Sequence, residues 1–309
     1  MNEGNNLIGI DAGDLAQPAT TLVEKIFEAI GVWYEPTRLV KEAEARAHVA
    51  LIEFNSKSTL SELQRRSLAN FVKKEEKRQR NIDSIISNAI SSLEPDSQPQ
   101  NIEDDWLGQF FKLCDHVSDE GMQKVWGDIL ARKAENPGSY SKKTLSILAL
   151  LESNQAEMFV KLCSAAIQVE DIADTMIYEF NDELCNSIGI SLSNVLVLQY
   201  LGLVTYSPYG LNVAVDVNHE KVSIDNKFYL EIHANYFNKK LKIYSPFSLD
   251  SSGKIEAPRL QIGKVNLTIA GREILSICNP LPHELFLPRF EAELAKSGML
   301  VKPWDQNPS

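Results

Sequence analysis

Apolar residues recur every three or four positions through the first 200 residues, a spacing that predicts amphipathic helices. The first predicted helix covers residues 14–30, and a second one starts after Thr37. A third runs from Ser58 to about Leu93. Its middle part, residues 73–80, carries almost no apolar side chain, so we expect this part to project from the core.

Residues 104–200 continue the helical pattern in shorter segments, which predicts a helical bundle. Ser118, Ser141 and Ser153 are the expected N-caps, because a serine hydroxyl accepts a hydrogen bond from a first-turn amide. Pro137 and Gly138 mark a turn within the bundle. Two further helices are predicted at residues 172–185 and 192–200.

After Gly202 the pattern changes to short β-branched and aromatic runs, which predict strands. Helices are expected again at residues 267–277 and 288–298, followed by a closing strand at 299–301. The predicted fold is therefore mainly α, with a C-terminal α+β domain built on an antiparallel sheet with helices. The predicted domains are an N-terminal helical segment (1–93), a linker (94–103), the helical bundle (104–200) and the α+β domain (201–309).

Composition is typical of a folded globular chain, with 44% hydrophobic and 24% charged residues. No apolar stretch approaches the roughly 20 residues that cross a bilayer, and the acidic start is unlike a secretory signal. The four cysteines are widely spaced without a CxxC pair, as expected of reduced thiols. We therefore expect a cytoplasmic protein. The motifs GxxxxGK[ST], GxGxxG and GxSxG are missing, so we expect no cofactor and no catalytic residue of those types.

Two stretches of the chain resemble an uncharacterised bacterial domain-of-unknown-function family. They are GVWYEPTRLVKEAEARA and the block that begins DDWLGQFF and ends with PGSYSKKTLSILALL. The family organisation is distantly similar to abortive-infection proteins of phage defence, which makes phage defence the implied context. The resemblance transfers no catalytic residue, and we expect the motif residues to be structural: Tyr34, Pro36, Trp106, Trp126, Pro137, Gly138, Ser139 and Thr144.

A basic stripe within the third predicted helix is the candidate binding surface. Residues 65–80 carry seven basic and two acidic side chains in a chain of net charge -11. Such a stripe can bind phosphate backbones or an acidic protein surface. A solvated helix face, or pairing with the acidic residues around the linker, would also account for it. The stripe consists of Arg65, Arg66, Lys73, Lys74, Lys77, Arg78 and Arg80.

The preferred hypothesis is a non-catalytic interaction or sensing protein whose partner is another protein or a second copy of the chain. Nucleic acid is the alternative partner, and a membrane surface is less favoured. LGLV at residues 201–204 and LTIAGREI at 267–274 resemble steps of winged-helix proteins, although the 63 residues between Val204 and Thr268 would have to form a β insertion. An enzyme whose site combines an acidic helix at residues 171–183 with His219 or His233 is the third hypothesis. No residues have the spacing of a metal site.

Overall fold

The computed structural model describes residues 6–7, 10–11, 17–30, 61–94, 96–214, 220–225, 227–249, 251–256 and 259–304. Tyr34, Pro36, the helix expected after Thr37, and His219 lie outside these described residues. The chain forms two compact units, Met1–Ala149 and Leu150–Ser309.

The described part of the first unit is largely helical. A short antiparallel pair, β1 (Asn6–Leu7) and β2 (Ile10–Asp11), precedes its helices. The helices are α1 (Gln17–Ile30), α2 (Glu62–Ser92), α3 (Asp104–Cys114), α4 (Glu120–Glu135) and α5 (Lys142–Leu150). The long helix predicted from Ser58 to about Leu93 begins at Glu62 and is continuous over 31 residues, a point that the sequence pattern leaves open.

Residue choice at the helix starts explains where α2, α4 and α5 begin. Ser61 and Gln64 form a reciprocal capping box at α2, which satisfies two otherwise unpaired amides. The Ser141 hydroxyl accepts a hydrogen bond from the amide of Thr144, as predicted for α5. The cap of α4 is Asp119 rather than the expected Ser118, because its carboxylate accepts from the amide of Met122.

The second unit combines helices with an antiparallel sheet. Its helices are α6 (Ser153–Cys163), α7 (Glu183–Ile188), α8 (Leu192–Tyr200), α9 (Ile269–Cys278) and α10 (Phe286–Ala295). The cap of α6 is Glu152, one residue before the predicted Ser153. Its strands are β3 (Ala166–Val169), β4 (Ile172–Thr175), β5 (Val204–Tyr206), β6 (Leu211–Ala214), β7 (Lys221–Ile224), β8 (Lys227–Tyr236), β9 (Lys239–Pro246), β10 (Ser248–Leu249), β11 (Ile255–Glu256), β12 (Arg259–Ile262), β13 (Val265–Leu267) and β14 (Leu300–Pro303).

The largest sheet has six strands in the order β14-β9-β8-β3-β4, with β7 also paired to β8. The long hairpin β8–β9 runs in register from Tyr229 opposite Pro246 to Tyr236 opposite Lys239. Tyr236 stacks on Phe286 of α10 with ring centroids 4.3 Å apart, so this helix covers one face of the sheet. The predicted fold class, mainly α with a C-terminal antiparallel sheet and helices, is confirmed.

The helix predicted at residues 172–185 is wrong. This segment contains β4, which pairs antiparallel with β3, and helix α7 begins only at Glu183. Residues 174–178 are buried in succession, which suits a strand and its extension inside a core better than an amphipathic helix. Asp174, counted among the acidic residues of that helix, lies 1% exposed beside β13.

Candidate interaction surface

The C-terminal half of α2 is anchored against α4. Gly127 of α4 approaches so closely that an added Cβ would lie 2.6 Å from the Cβ of Asn88. The side-chain amide of Gln123 donates to the side-chain oxygen of Asn81 at 3.2 Å. At the far end of the contact, the Ser92 hydroxyl donates to the carboxylate of Asp128. In these contacts the residue numbers of both helices increase in the same direction, so α2 and α4 run parallel.

The N-terminal half of α2 extends beyond this contact. Residues 62–80 contain no buried side chain, whereas Asn81, Ile82, Ile85, Ile86 and Ala89 are buried. At about 1.5 Å per residue, the exposed segment is about 28 Å long. We call residues 62–80 the projecting segment.

Four basic residues of the projecting segment share one face. At 3.6 residues per turn, Arg66, Lys73, Lys77 and Arg80 fall within an arc of about 60°, on the side opposite the core-facing isoleucines. All four are exposed. Among the described residues, Arg66 has one ion-pair contact, 4.0 Å from Glu62, and Lys73, Lys77 and Arg80 have none. This face therefore carries positive charge that the described part of the chain leaves largely uncompensated.

Arg78 differs from the other members of the predicted stripe. Its Nε donates to Asp115 at 2.7 Å and its Nη1 to Glu75 at 2.7 Å. Asp115 has a side chain only 2% exposed, so Arg78 neutralises a buried carboxylate. These hydrogen bonds, to Asp115 first and Glu75 second, raise the pKa of Arg78. Arg78 thus anchors the projecting segment to the rest of the first unit. Arg65 and Lys74 lie exposed beside the four-residue face.

The acidic residues near the linker lie at the opposite end of α2. Because α2 is continuous to Ser92, even Arg80, the stripe residue nearest to the acidic end, is about 18 Å from the end of the helix along its axis. The amide of Gln100, just before α3, donates to the carbonyl of Ala134 near the end of α4, which runs parallel to α2, so the start of α3 lies at the far end of α2 from the projecting segment. All five residues of this acidic end are exposed: Glu94, Asp96, Glu103, Asp104 and Asp105. Pairing between the stripe and the acidic end within one chain is therefore excluded by distance.

Two exposed apolar residues lie in the projecting segment on the apolar side of α2, and sequence periodicity did not single them out as surface residues. Leu63 is 66% exposed and Phe71 is 61% exposed. Their spacing within the apolar face of α2 made them expected core residues. Both precede Asn81, where the contact with α4 begins, which accounts for their exposure.

The described family-motif residues lie around the aromatic core of the first unit. Trp106 donates its Nε1 hydrogen to the carbonyl of Tyr140 at 2.6 Å, and Trp126 packs edge-on against Phe110. The Lys133 ammonium lies 5.1 Å from the Trp106 ring and donates to the carbonyl of Ser139 at 2.7 Å. It also donates to the carbonyl of Pro137, so it closes the turn of Pro137, Gly138 and Ser139. Thr144 is fully buried at the start of α5.

The acidic residues once expected on one helix serve separate contacts in the second unit. Asp174 accepts hydrogen bonds from the amides of Thr175 (2.8 Å) and Leu267 (2.7 Å), and Arg272 lies 3.2 Å away. Burial raises the pKa of Asp174 in spite of these contacts. Glu179 pairs with Lys264, and Asp182 caps α7. The described residues therefore give no shared carboxylate site here.

His233 lies on the sheet in a different group of charged residues. Glu231 forms an ion pair with Lys242 at 2.9 Å, and His233 lies 3.4 Å from the same carboxylate. Burial opposes ionisation of Glu231, but the hydrogen bond from Lys242 gives a net lowering of its pKa. Within the described ranges, no group of three or more His, Cys, Asp or Glu residues could hold a metal ion.

The two winged-helix-like steps are brought together in the fold. β5 pairs with β13, and the Thr268 hydroxyl donates to the carbonyl of Gly202 at 2.7 Å. Gly271 lies so close that an added Cβ would be 2.1 Å from the carbonyl oxygen of Leu203. Strands β6 to β12 lie between these two steps in the sequence.

A protein-family model matches most of the chain. The family described as Protein of unknown function (DUF2806) matches residues 65–290, so the chain belongs to this family. No curated protein and no solved structure matches the chain. Among the described helices, none is both long and apolar enough to span a membrane.

Proposed function

We propose that the protein is a non-catalytic interaction protein that assembles with a second copy of itself through α2. The observation that carries the proposal is the separation of charge along this helix. The basic stripe lies on the projecting segment, the acidic end lies beyond Ser92, and one chain cannot bring them together. A second chain in the opposite direction would pair both ends at once.

An antiparallel arrangement of two α2 helices satisfies the usual two-fold symmetry of homodimers, because the same contact then forms twice. Each exposed ion pair contributes only about 0.2–1 kcal/mol, so several pairs are needed for stable association. Leu63 and Phe71 lie on the apolar side of α2, away from the four-residue face, so this contact gains little apolar area from them. We therefore expect a dimer that salt weakens, since screening acts on its exposed charges.

Sedimentation velocity of the full chain, over a range of protein concentrations at low and moderate salt, tests the proposal. The chain should show a concentration-dependent dimer that dissociates as salt rises. Lys73→Glu/Lys77→Glu should be monomeric. The matched control is Lys239→Glu/Lys240→Glu, which makes the same charge change on exposed lysines of the second unit and should still dimerise.

A charge-swap experiment makes the test specific. Glu103→Lys/Asp104→Lys reverses part of the acidic end and should also abolish self-association. Mixed with Lys73→Glu/Lys77→Glu, it should form a heterodimer, because both interfaces then have opposite charges again. The proposal is contradicted if the wild-type chain stays monomeric at every concentration. It is also contradicted if Lys73→Glu/Lys77→Glu still forms the dimer.

Duplex nucleic acid is the second candidate partner, favoured by the alignment of four exposed basic residues on one helix face. Phosphate contacts release counterions, so such binding falls steeply with salt. We would titrate the full chain against a labelled random-sequence duplex at low and moderate salt. Binding lost in Lys73→Glu/Lys77→Glu supports this candidate, and absence of binding at low salt rejects it. Phage defence is the cellular context that the resemblance to abortive-infection proteins suggests for either partner.

A further inference from the structure

Two cysteines that are far apart in the sequence meet in the second unit. Cys163 is the last residue of α6 and Cys278 is the last residue of α9, and these helices contact each other. Cys163 lines a cavity together with Leu275 and Pro280, which flank Cys278 in the sequence, and side-chain contact between the two thiols shifts the pKa of both. We propose that Cys163 and Cys278 are a redox-active pair that forms a reversible disulfide on exposure to a peroxide.

The surroundings of the two thiols differ in a way that assigns each a role. Cys163 is fully buried, whereas Cys278 is partly exposed. A cavity of about 240 Å³ beside Cys163 is also lined by Leu275 and Pro280, which flank Cys278 in the sequence. A small oxidant can therefore approach this pair.

Cys278 is the better placed nucleophile of the pair, because it is partly exposed whereas Cys163 is buried. The contact from Cys163 lowers the pKa of Cys278, and burial, which opposes this, is the smaller effect. Burial raises the pKa of Cys163, so Cys163 keeps its proton and donates it. Since the thiolate is the reactive form of cysteine, Cys278 is the thiol that meets the oxidant first.

The reaction balances with hydrogen peroxide as the oxidant. The Cys278 thiolate attacks one peroxide oxygen, so the S–O bond forms, the O–O bond breaks and the departing hydroxide takes up a proton to become water. The Cys163 sulfur then attacks the resulting sulfenic acid, with its proton passing to the departing hydroxyl group. The S–S bond forms, the S–O bond breaks, and a second water leaves. Two thiols and one peroxide thus give one disulfide and two waters.

The test treats the full chain with a small excess of hydrogen peroxide and then counts free thiols after denaturation. The count should fall from four to two, and a reducing agent should restore it. Peptide mapping by mass spectrometry should find residues 163 and 278 joined. The mapping needs no variant, so it remains decisive if a cysteine substitution impairs folding.

Two variants distinguish this pair from the remaining cysteines. Cys114→Ala/Cys185→Ala should still lose two thiols, because both removed residues are fully buried and lie outside the pair. Cys163→Ala should give a Cys278 sulfenic acid, captured by a sulfenic-acid reagent, with no disulfide. An unchanged thiol count, a link to Cys185, or a link only between molecules would overturn the proposal.

Discussion

Replacing Asp174 by alanine should destabilise the second unit more than any comparable change of an exposed acidic residue. Asp174 is 1% exposed, and a single carboxylate oxygen accepts from the amides of Thr175 and Leu267. It joins β4 to β13 across 93 residues of sequence. In the alanine variant both amides would remain buried without this acceptor.

The expected magnitude follows from these contacts. Each buried donor left without a partner costs about 1–3 kcal/mol. The Arg272 guanidinium is 40% exposed, so loss of its contact adds at most about 1 kcal/mol. Together the expected loss in the free energy of unfolding is about 2–6 kcal/mol, most of it from the two amides.

Urea unfolding followed by circular dichroism measures this loss. Asp171→Ala is the matched control, because Asp171 lies exposed in the same hairpin and its removal should change stability by less than about 0.5 kcal/mol. If the two variants unfold at the same urea concentration, the carboxylate of Asp174 is not the link between β4 and β13 that the geometry implies.

Three further changes have defined outcomes. Gly127→Ala should lower stability by about 1–3 kcal/mol or more in urea unfolding, because its Cβ would lie 2.6 Å from that of Asn88. Trp126→Ala should cost about 3–5 kcal/mol in the same assay, since the ring is fully buried. Glu231→Gln should lose less stability on acidification than the wild type. The lowered pKa of Glu231 means that its contribution is present above the ordinary glutamate pKa and is lost as pH falls through the folded-state pKa. Thermal unfolding between neutral and acidic pH measures this difference, and parallel curves would contradict it.

Helices and the closing strand could be predicted from the sequence because the pattern of apolar and polar residues that defines them is local in the chain. The continuous helix α2 and the closing strand β14 are examples. The segment before Glu183 was wrongly predicted to be helical, because the deciding partner of Asp174 is the amide of Leu267, far along the chain. The contact between Cys163 and Cys278 was not predicted either, because the two residues are far apart in the sequence.

The candidate surface was also predictable only in part, because some of its features depend on residues that are distant in the sequence. The excess of positive charge in residues 65–80 is visible in the sequence, but the sequence does not separate Arg78 from its neighbours. Asp115, which makes Arg78 structural, follows α3 and is brought to it by packing. Arg78 therefore marks the point where α2 changes from anchored to projecting. Because the helix is continuous through this point, the anchored half fixes the direction in which Arg66, Lys73, Lys77 and Arg80 face. A flexible basic tail would have to be ordered on binding, at a cost in conformational entropy. A stripe held on a packed helix avoids that cost, and this is the physical reason to assign the interaction to α2.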